Sequence, residues 1–321
     1  MPLIQPSSYP GPPFYQFNSH LQTILPALTR KVDSFVFDRE RLTLADGDFV
    51  DLDWIDSKSK NLILLSHGLE GSSTRFYMKG MAEAFQKVDW DVLAWNCRTC
   101  SGEMNRKLRM YHHGEIGDIA EVIDHALKKK SYEKVVLIGF SMGGNINMKY
   151  LGVNANNLPP QIHKAVSISA PLDLVSSVVK LDTPGTSMYK RYFLRKLEHK
   201  IKHKSEEYPD LIDFSKYKEI KNWEDFDHLY TVPLNGFKNP QDFYYQGSCI
   251  NFIEPINIPT LILNALNDPI LTPECFPYDL CKSHPFIYLE TPATGGHVGF
   301  SVAGKTGAWS ETRALEFVLS N

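Results

Sequence analysis

The stretch Lys134 to Leu151 reads KVVLIGFSMGGNINMKYL and passes from a β-branched apolar run directly into a helical pattern. At the bend stand Gly139-Phe140-Ser141-Met142-Gly143. A serine on a sharp strand-to-helix turn carries its hydroxyl above the sheet, and the flanking positions must be nearly free of side chains for the turn to close. The helix that follows aims its first N–H groups at the same point. Gly143 and Gly144 let that helix lie close to the sheet. A serine hydroxyl is a weak nucleophile at neutral pH, so the arrangement does chemistry only with a base, itself oriented by an acid.

With this local order of elements the partners are expected downstream as serine, acid, histidine, each on a loop after a later strand. Asp268 ends LILNALND, and His297 lies in the glycine-rich FIYLETPATGGHVGF. Asp268 before Pro269 also suits an Asx turn that merely stops a strand, and His297 is one of 11 histidines. Their joint order and placement favour the chemical reading. Asp173, after SISA, is the reserve acid; His112 and His113 precede the serine and are expected at the start of a helix. Acyl transfer also requires donors for an oxyanion. The Met142 amide is one, and the Leu69 amide in LLSHGLEGSS is the other, with His67 organising that loop.

These residues need a frame. Short apolar runs bounded by turn residues (NLILLSHG, DVLAWNC, KVVLIGFS, KAVSISA, PTLILNALND) read as strands buried on both faces and therefore parallel. Between them Ile116–Lys130 shows a helical stripe of Ile119, Val122, Ile123 and Ala126. Strands alternating with helices predict a doubly wound, mostly parallel α/β sheet. Ahead of it, Ser34–Thr43 faces FVDLDWID across Asp46-Gly47, where Val50, Leu52 and Trp54 alternate with Asp51 and Asp53 as in a β-hairpin. Residues 1–30, with FNSHLQTILPAL, are expected to strap across the domain. The stretch 171–254 breaks the alternation and is read as a helical cap inserted between two strands of one domain spanning 1–321. Within it YKRYFLRKLEHKIKHK, Tyr189 to Lys204, makes an amphipathic basic helix through Phe193, Leu197 and Ile201. Such a helix ordinarily buries its stripe on its own protein and solvates its charges; peripheral contact with an anionic membrane is the other use.

Composition sets the outer bounds. The chain has 321 residues, 43% hydrophobic and 22% charged, with a net charge of -3 that gives no electrostatic case for nucleic acid. No apolar run is long enough for stable membrane insertion. The proline-rich start lacks the pattern of a secretion signal. Five scattered cysteines make no disulfide framework, and CRTC (Cys97 to Cys100) lacks the second pair that a zinc site needs. A cytoplasmic protein without metal or cofactor is expected.

The motifs NSHLQTILP, HGLEGSS, WNCRTCSGEMNR, YHHGEIGDI, GFSMGGN, NALNDP and TGGHVGF occur in this order from about Phe17 onward. In them the chain resembles the α/β-hydrolases, and more narrowly the YheT-like branch. The resemblance implies a carboxylic-ester hydrolase of acyl or lipid-like esters, with Ser141, Asp268 and His297 as its triad. It also implies a soluble enzyme of bacterial type, since the membrane anchor of eukaryotic members has no counterpart here. HGLEG differs from the HGGG loop of many lipases, so tolerance of bulky alcohols does not carry over. Two other readings remain: an acyltransferase using the same triad, and a non-catalytic binding protein on the same fold.

Overall fold

Unbroken runs of Val, Ile and Leu leave no face for water, so such strands must lie inside a sheet covered on both sides. In the computed structural model, which describes residues 2–320, they form the centre of a nine-stranded sheet. The first half of the chain supplies β1 (Leu3–Ile4), α1 (Ser19–Thr29), β2 (Asp38–Thr43), β3 (Phe49–Ile55), β4 (Asn61–Ser66), α2 (Phe76–Gln86) and β5 (Asp91–Asn96). Then come α3 (Gly117–Lys129), β6 (Lys134–Phe140), α4 (Met142–Val153) and β7 (Ile162–Ile168). After β7 the chain is helical through α5 (Leu174–Leu181), α6 (Ser187–Glu207), α7 (Trp223–Phe226), α8 (Val232–Asn235) and α9 (Pro240–Gly247). It returns with β8 (Thr260–Leu263), α10 (Tyr278–Ser283), β9 (Ile287–Glu290) and α11 (Trp309–Leu319).

The strand order is β1-β9-β8-β7-β6-β4-β5-β3-β2, parallel except where β3 meets β5 and β2. One apolar layer packs α3 and α4 on one face, through residues such as Ile119, Ile123, Ile146 and Leu151. The other packs α2 and α11 on the opposite face, through Met78, Phe85, Ala314 and Phe317. The helices between β7 and β8 hold a separate apolar cluster of Leu197, Ile201, Trp223, Phe226, Tyr230 and Leu234. Among the described residues no helix is long and apolar enough to cross a membrane.

Three local findings refine the sequence reading. The hairpin read from FVDLDWI forms as β2 and β3, and because β3 lies between β2 and β5 every residue in it is buried, its aspartates included. Asp51 and Asp53 are accommodated because Arg41 and Arg39 from β2 pair with them at 2.8 and 2.7 Å. The expected strap resolves into two elements: β1 adds to the far edge beside β9, and α1 is a full helix capped by Asn18. In α6, Leu197 and Ile201 are buried as expected, yet two of its lysines also turn inward. Lys200 Nζ lies 2.6 Å from Glu70 Oε1, and Lys204 Nζ donates to the carbonyls of Asn105 and Lys107. An inward lysine is tolerated there because fixed acceptors replace its hydration.

The loop between β5 and α3, which reaches Tyr111 and the two following histidines, is held by a buried charge cluster. Arg98, 2% exposed, donates to Asp48 at 2.7 Å and forms two bonds of 2.8 Å with Asp118. Removing the cation leaves Asp48 with neutral donors alone, from Asn105 and backbone amides, and leaves Asp118 with the half-exposed Arg109 as its remaining cation. Arg98→Met is therefore expected to cost about 3–5 kcal/mol of stability in urea unfolding. Loss below about 1 kcal/mol would mean that the cluster relaxes into water.

Candidate active site at the bend after strand six

Only one residue separates β6 from α4, and that residue is Ser141, held at φ 52° and ψ −120°. A non-glycine residue adopts such a backbone only where its surroundings impose it. Here the imposing contact is the approach of α4 to the sheet. A methyl group at Gly143 would lie 2.2 Å from the Ser66 carbonyl oxygen, and one at Gly139 would lie 2.3 Å from the Gly143 carbonyl oxygen. Both are distances no carbon can occupy. Gly68 passes over the serine so closely that an added Cβ would sit 3.1 Å from Ser141 Cβ.

Two distant loops converge on this hydroxyl. His297 Nε2 is 2.9 Å from Ser141 Oγ, and His297 Nδ1 is 2.8 Å from Asp268 Oδ2. With the ring proton on Nδ1, the carboxylate accepts it and the Nε2 lone pair faces the serine O–H. Both side chains are shielded, 11% exposed for His297 and 0% for Asp268. Asp268 Oδ1 also accepts the Ile270 N–H at 2.9 Å, so the turn-forming role and the histidine contact belong to one carboxylate. Asp173, the reserve acid, instead caps α5 by accepting the Ser176 N–H at 2.8 Å.

Leu69 and Ser141 line the same cavities. The amides on either side of Leu69 are engaged: Gly68 donates to the Tyr77 hydroxyl and Glu70 to the Tyr111 hydroxyl, both at 3.1 Å. That leaves the Leu69 N–H without a protein acceptor among the described residues. Met142 opens α4, where first-turn amides have no partner inside the helix. His67 is fully buried, and burial is the main reason its pKa falls to about 4. It faces the Gly68 carbonyl at 2.7 Å and accepts the Cys97 N–H at 3.0 Å, which ties the two loops together. Cys97 and Cys100 are buried free thiols in that packing. His112 and His113 are half-buried and are pushed down to about 3 and 4, chiefly by desolvation, so both are neutral in the cavity wall.

Two cavities meet at Leu69, Ser141, Phe193, Ile270 and His297. One, of about 930 Å³, runs under the helices that follow β7 and is walled by Val178, Leu197, Ile201, Phe226 and Leu234. Asp227, on a π-helical turn, reaches its wall; burial pushes that carboxyl up to about 7 against hydrogen bonds from Thr231 and Tyr244. The other, of about 1190 Å³, lies between α1, the start of α2 and the start of α6.

The chain matches the family model described as the alpha/beta hydrolase fold over residues 61–303. It belongs to the α/β-hydrolase family. It is 34% identical to the Escherichia coli K12 protein named "Putative esterase YheT", across 88% of this chain and 84% of that one. The Saccharomyces cerevisiae monoacylglycerol lipase is 31% identical over 75% of this chain and 55% of its own length. Mouse phospholipase ABHD3 is 25% identical over 93% and 74%. A Pyrococcus furiosus esterase structure superposes with a TM-score of 0.60 at 19% identity, covering 89% of this chain and 90% of its own, a likeness of fold.

The sequence reading missed the part that α1 plays. Gln22 is 3% exposed, and its Oε1 accepts both Gly295 N–H and Asn267 Nδ2–H at 2.9 Å. It thereby joins the loop of Asp268 to the loop of His297. Its Nε2 donates to the Gln16 carbonyl, which fixes the amide's orientation. Thr23 Oγ1 accepts the His297 N–H at 2.9 Å, and Asn267 Oδ1 accepts Gly296 N–H at 3.1 Å. The cue in the sequence was two polar residues, Gln22 and Thr23, side by side in an apolar helix. Gln22→Met keeps the side-chain length but removes the bridge. It is expected to slow the reaction of Ser141 with a fluorophosphonate about 10- to 100-fold. The loss should be less than additive with that of Asn267→Ala, because both act on one bridge. Fully additive losses would contradict the bridge.

Proposed function

We propose that the protein is a serine carboxylic-ester hydrolase acting on acyl or lipid-like esters. The observation that carries this reading is the unbroken contact from Asp268 through His297 to Ser141, at 2.8 and 2.9 Å. Relatives named esterase, monoacylglycerol lipase and phospholipase support it. In this reading Ser141 Oγ attacks the ester carbonyl carbon while its proton passes to His297 Nε2. Asp268 stabilises the imidazolium and holds the ring. The carbonyl oxygen, now an oxyanion, is received by the Leu69 and Met142 N–H groups. As the tetrahedral adduct collapses, the C–O bond to the alcohol breaks and the imidazolium returns its proton to the leaving oxygen. Water, deprotonated by His297, then attacks the acyl-serine, and the acid leaves with Ser141 restored.

The acyl part is assigned to the cavity under the helices between β7 and β8, which act as the cap. Its apolar walls suit a hydrocarbon chain, whose burial contributes about 0.8 kcal/mol per methylene. Ser141→Ala retains the fold, since a methyl replaces a hydroxymethyl at an unchanged backbone. Its turnover of a short-chain aryl ester is expected to fall at least about a thousandfold. Turnover within about tenfold of the wild type would reject Ser141 as the nucleophile.

A further inference from the structure

The two cavities that meet at Ser141 differ in charge. Under the cap, the ionisable carboxylic group in the wall is Asp227. In the second cavity the lining residues include Arg75 and, among the described residues, no carboxylate. Arg75 immediately precedes α2 and is half-buried. Its Nη2 lies 3.3 Å from the Tyr192 hydroxyl, and among the described residues it forms no ion pair. A guanidinium carries five N–H donors in a planar fork, so most of its hydrogen-bonding capacity is unspent among the described residues.

The surroundings reinforce that positive charge. Lys196 sits one turn beyond Tyr192 on α6, its Nζ 5.1 Å from the Tyr192 ring centre and 3.3 Å from the Glu70 carbonyl oxygen. Burial raises the Tyr192 phenol, yet Lys196 and Arg75 together draw it below its ordinary value. The nearby carboxylate of Glu70 does not offset them, being occupied by Lys200 at 2.6 Å and by the Tyr111 hydroxyl. Leu28, Met188 and Phe76 make the adjoining walls apolar.

We propose that the second cavity receives the leaving alcohol of the ester, and that Arg75 there recognises an anionic phosphate or carboxylate carried by that alcohol. The inference rests on the esterase reading of Ser141 and names the substrate class for it. An anion suits the Arg75 side because a planar guanidinium pairs with two of its oxygens at once. The same anion is disfavoured under the cap, where the apolar walls offer it no cation among the described lining residues.

The test compares esters with one acyl chain and different alcohols: 1-octanoylglycerol, 1-octanoylglycerol 3-phosphate and the octanoyl ester of lactate. The readout is the ratio of kcat/KM for each anionic ester to that for 1-octanoylglycerol. The wild type is expected to favour at least one anionic ester, the phosphate and lactate arms separating the two sources of charge. Arg75→Gln should lower that ratio about tenfold or more, chiefly through KM. Arg75→Glu should reverse the preference, whereas Arg75→Lys, which keeps the charge but loses the planar fork, should keep the anionic ester preferred at a ratio between those of the wild type and Arg75→Gln. A ratio that is the same in wild type and Arg75→Gln overturns the subsite while leaving the esterase reading intact. Failure of the folded wild type to turn over any of the three, or a short-chain aryl ester, overturns both.

Discussion

The start of α4 lies against the ends of β4 and β6 with no room for a single side-chain carbon at positions 139 and 143. That steric limit forces Ser141 to make the whole strand-to-helix turn alone, at positive φ. It also places first-turn amides of α4 beside the serine and holds the 67–70 loop over it, since Gly68 and Ser141 nearly touch. Ordinary residues at 139 or 143 would push α4 off the sheet, and the hydroxyl, the Met142 amide and the Leu69 amide would separate. Backbone strain at one residue thus comes with the close packing of an entire layer.

Around that point the chain adds parts from far away in sequence. The acid and histidine loops follow β8 and β9, and α1 fastens them through one glutamine amide. The far side of the pocket is fastened electrostatically: Lys200 of α6 reaches Glu70, next to Leu69, and Lys204 reaches the loop of Asn105. The helices after β7 therefore touch the loop that supplies the proposed oxyanion donor. Their apolar cluster shapes one cavity, while the edge of α6 lends positive charge to the other.

Much of this frame was legible beforehand, for definite reasons. Buried parallel strands announce themselves as continuous Val, Ile and Leu runs, and NLILLS, DVLAWN and KVVLIGF became β4, β5 and β6. Ser141, Asp268 and His297 stood out because their order on successive strand-end loops is unusual by chance, and the structure brings the three side chains within hydrogen-bond distance. The polar pair Gln22-Thr23 was visible in α1 but its partners were not, because a hydrogen bond across 273 residues leaves no local pattern. The buried polar face of β3 escaped for a related reason: alternation reports side-chain polarity, whereas burial depends on which strands lie alongside. The inward turn of Lys200 and Lys204 likewise depends on acceptors from remote loops that no helical periodicity reveals.

The claim on which the rest turns is that Ser141 is the acyl-accepting nucleophile. Mass-spectrometric peptide mapping of the folded wild type after reaction with a fluorophosphonate tests it most directly. One adduct per chain, on the peptide containing Ser141, is the predicted result. An adduct on another residue, or none on protein whose fold is intact, would contradict it.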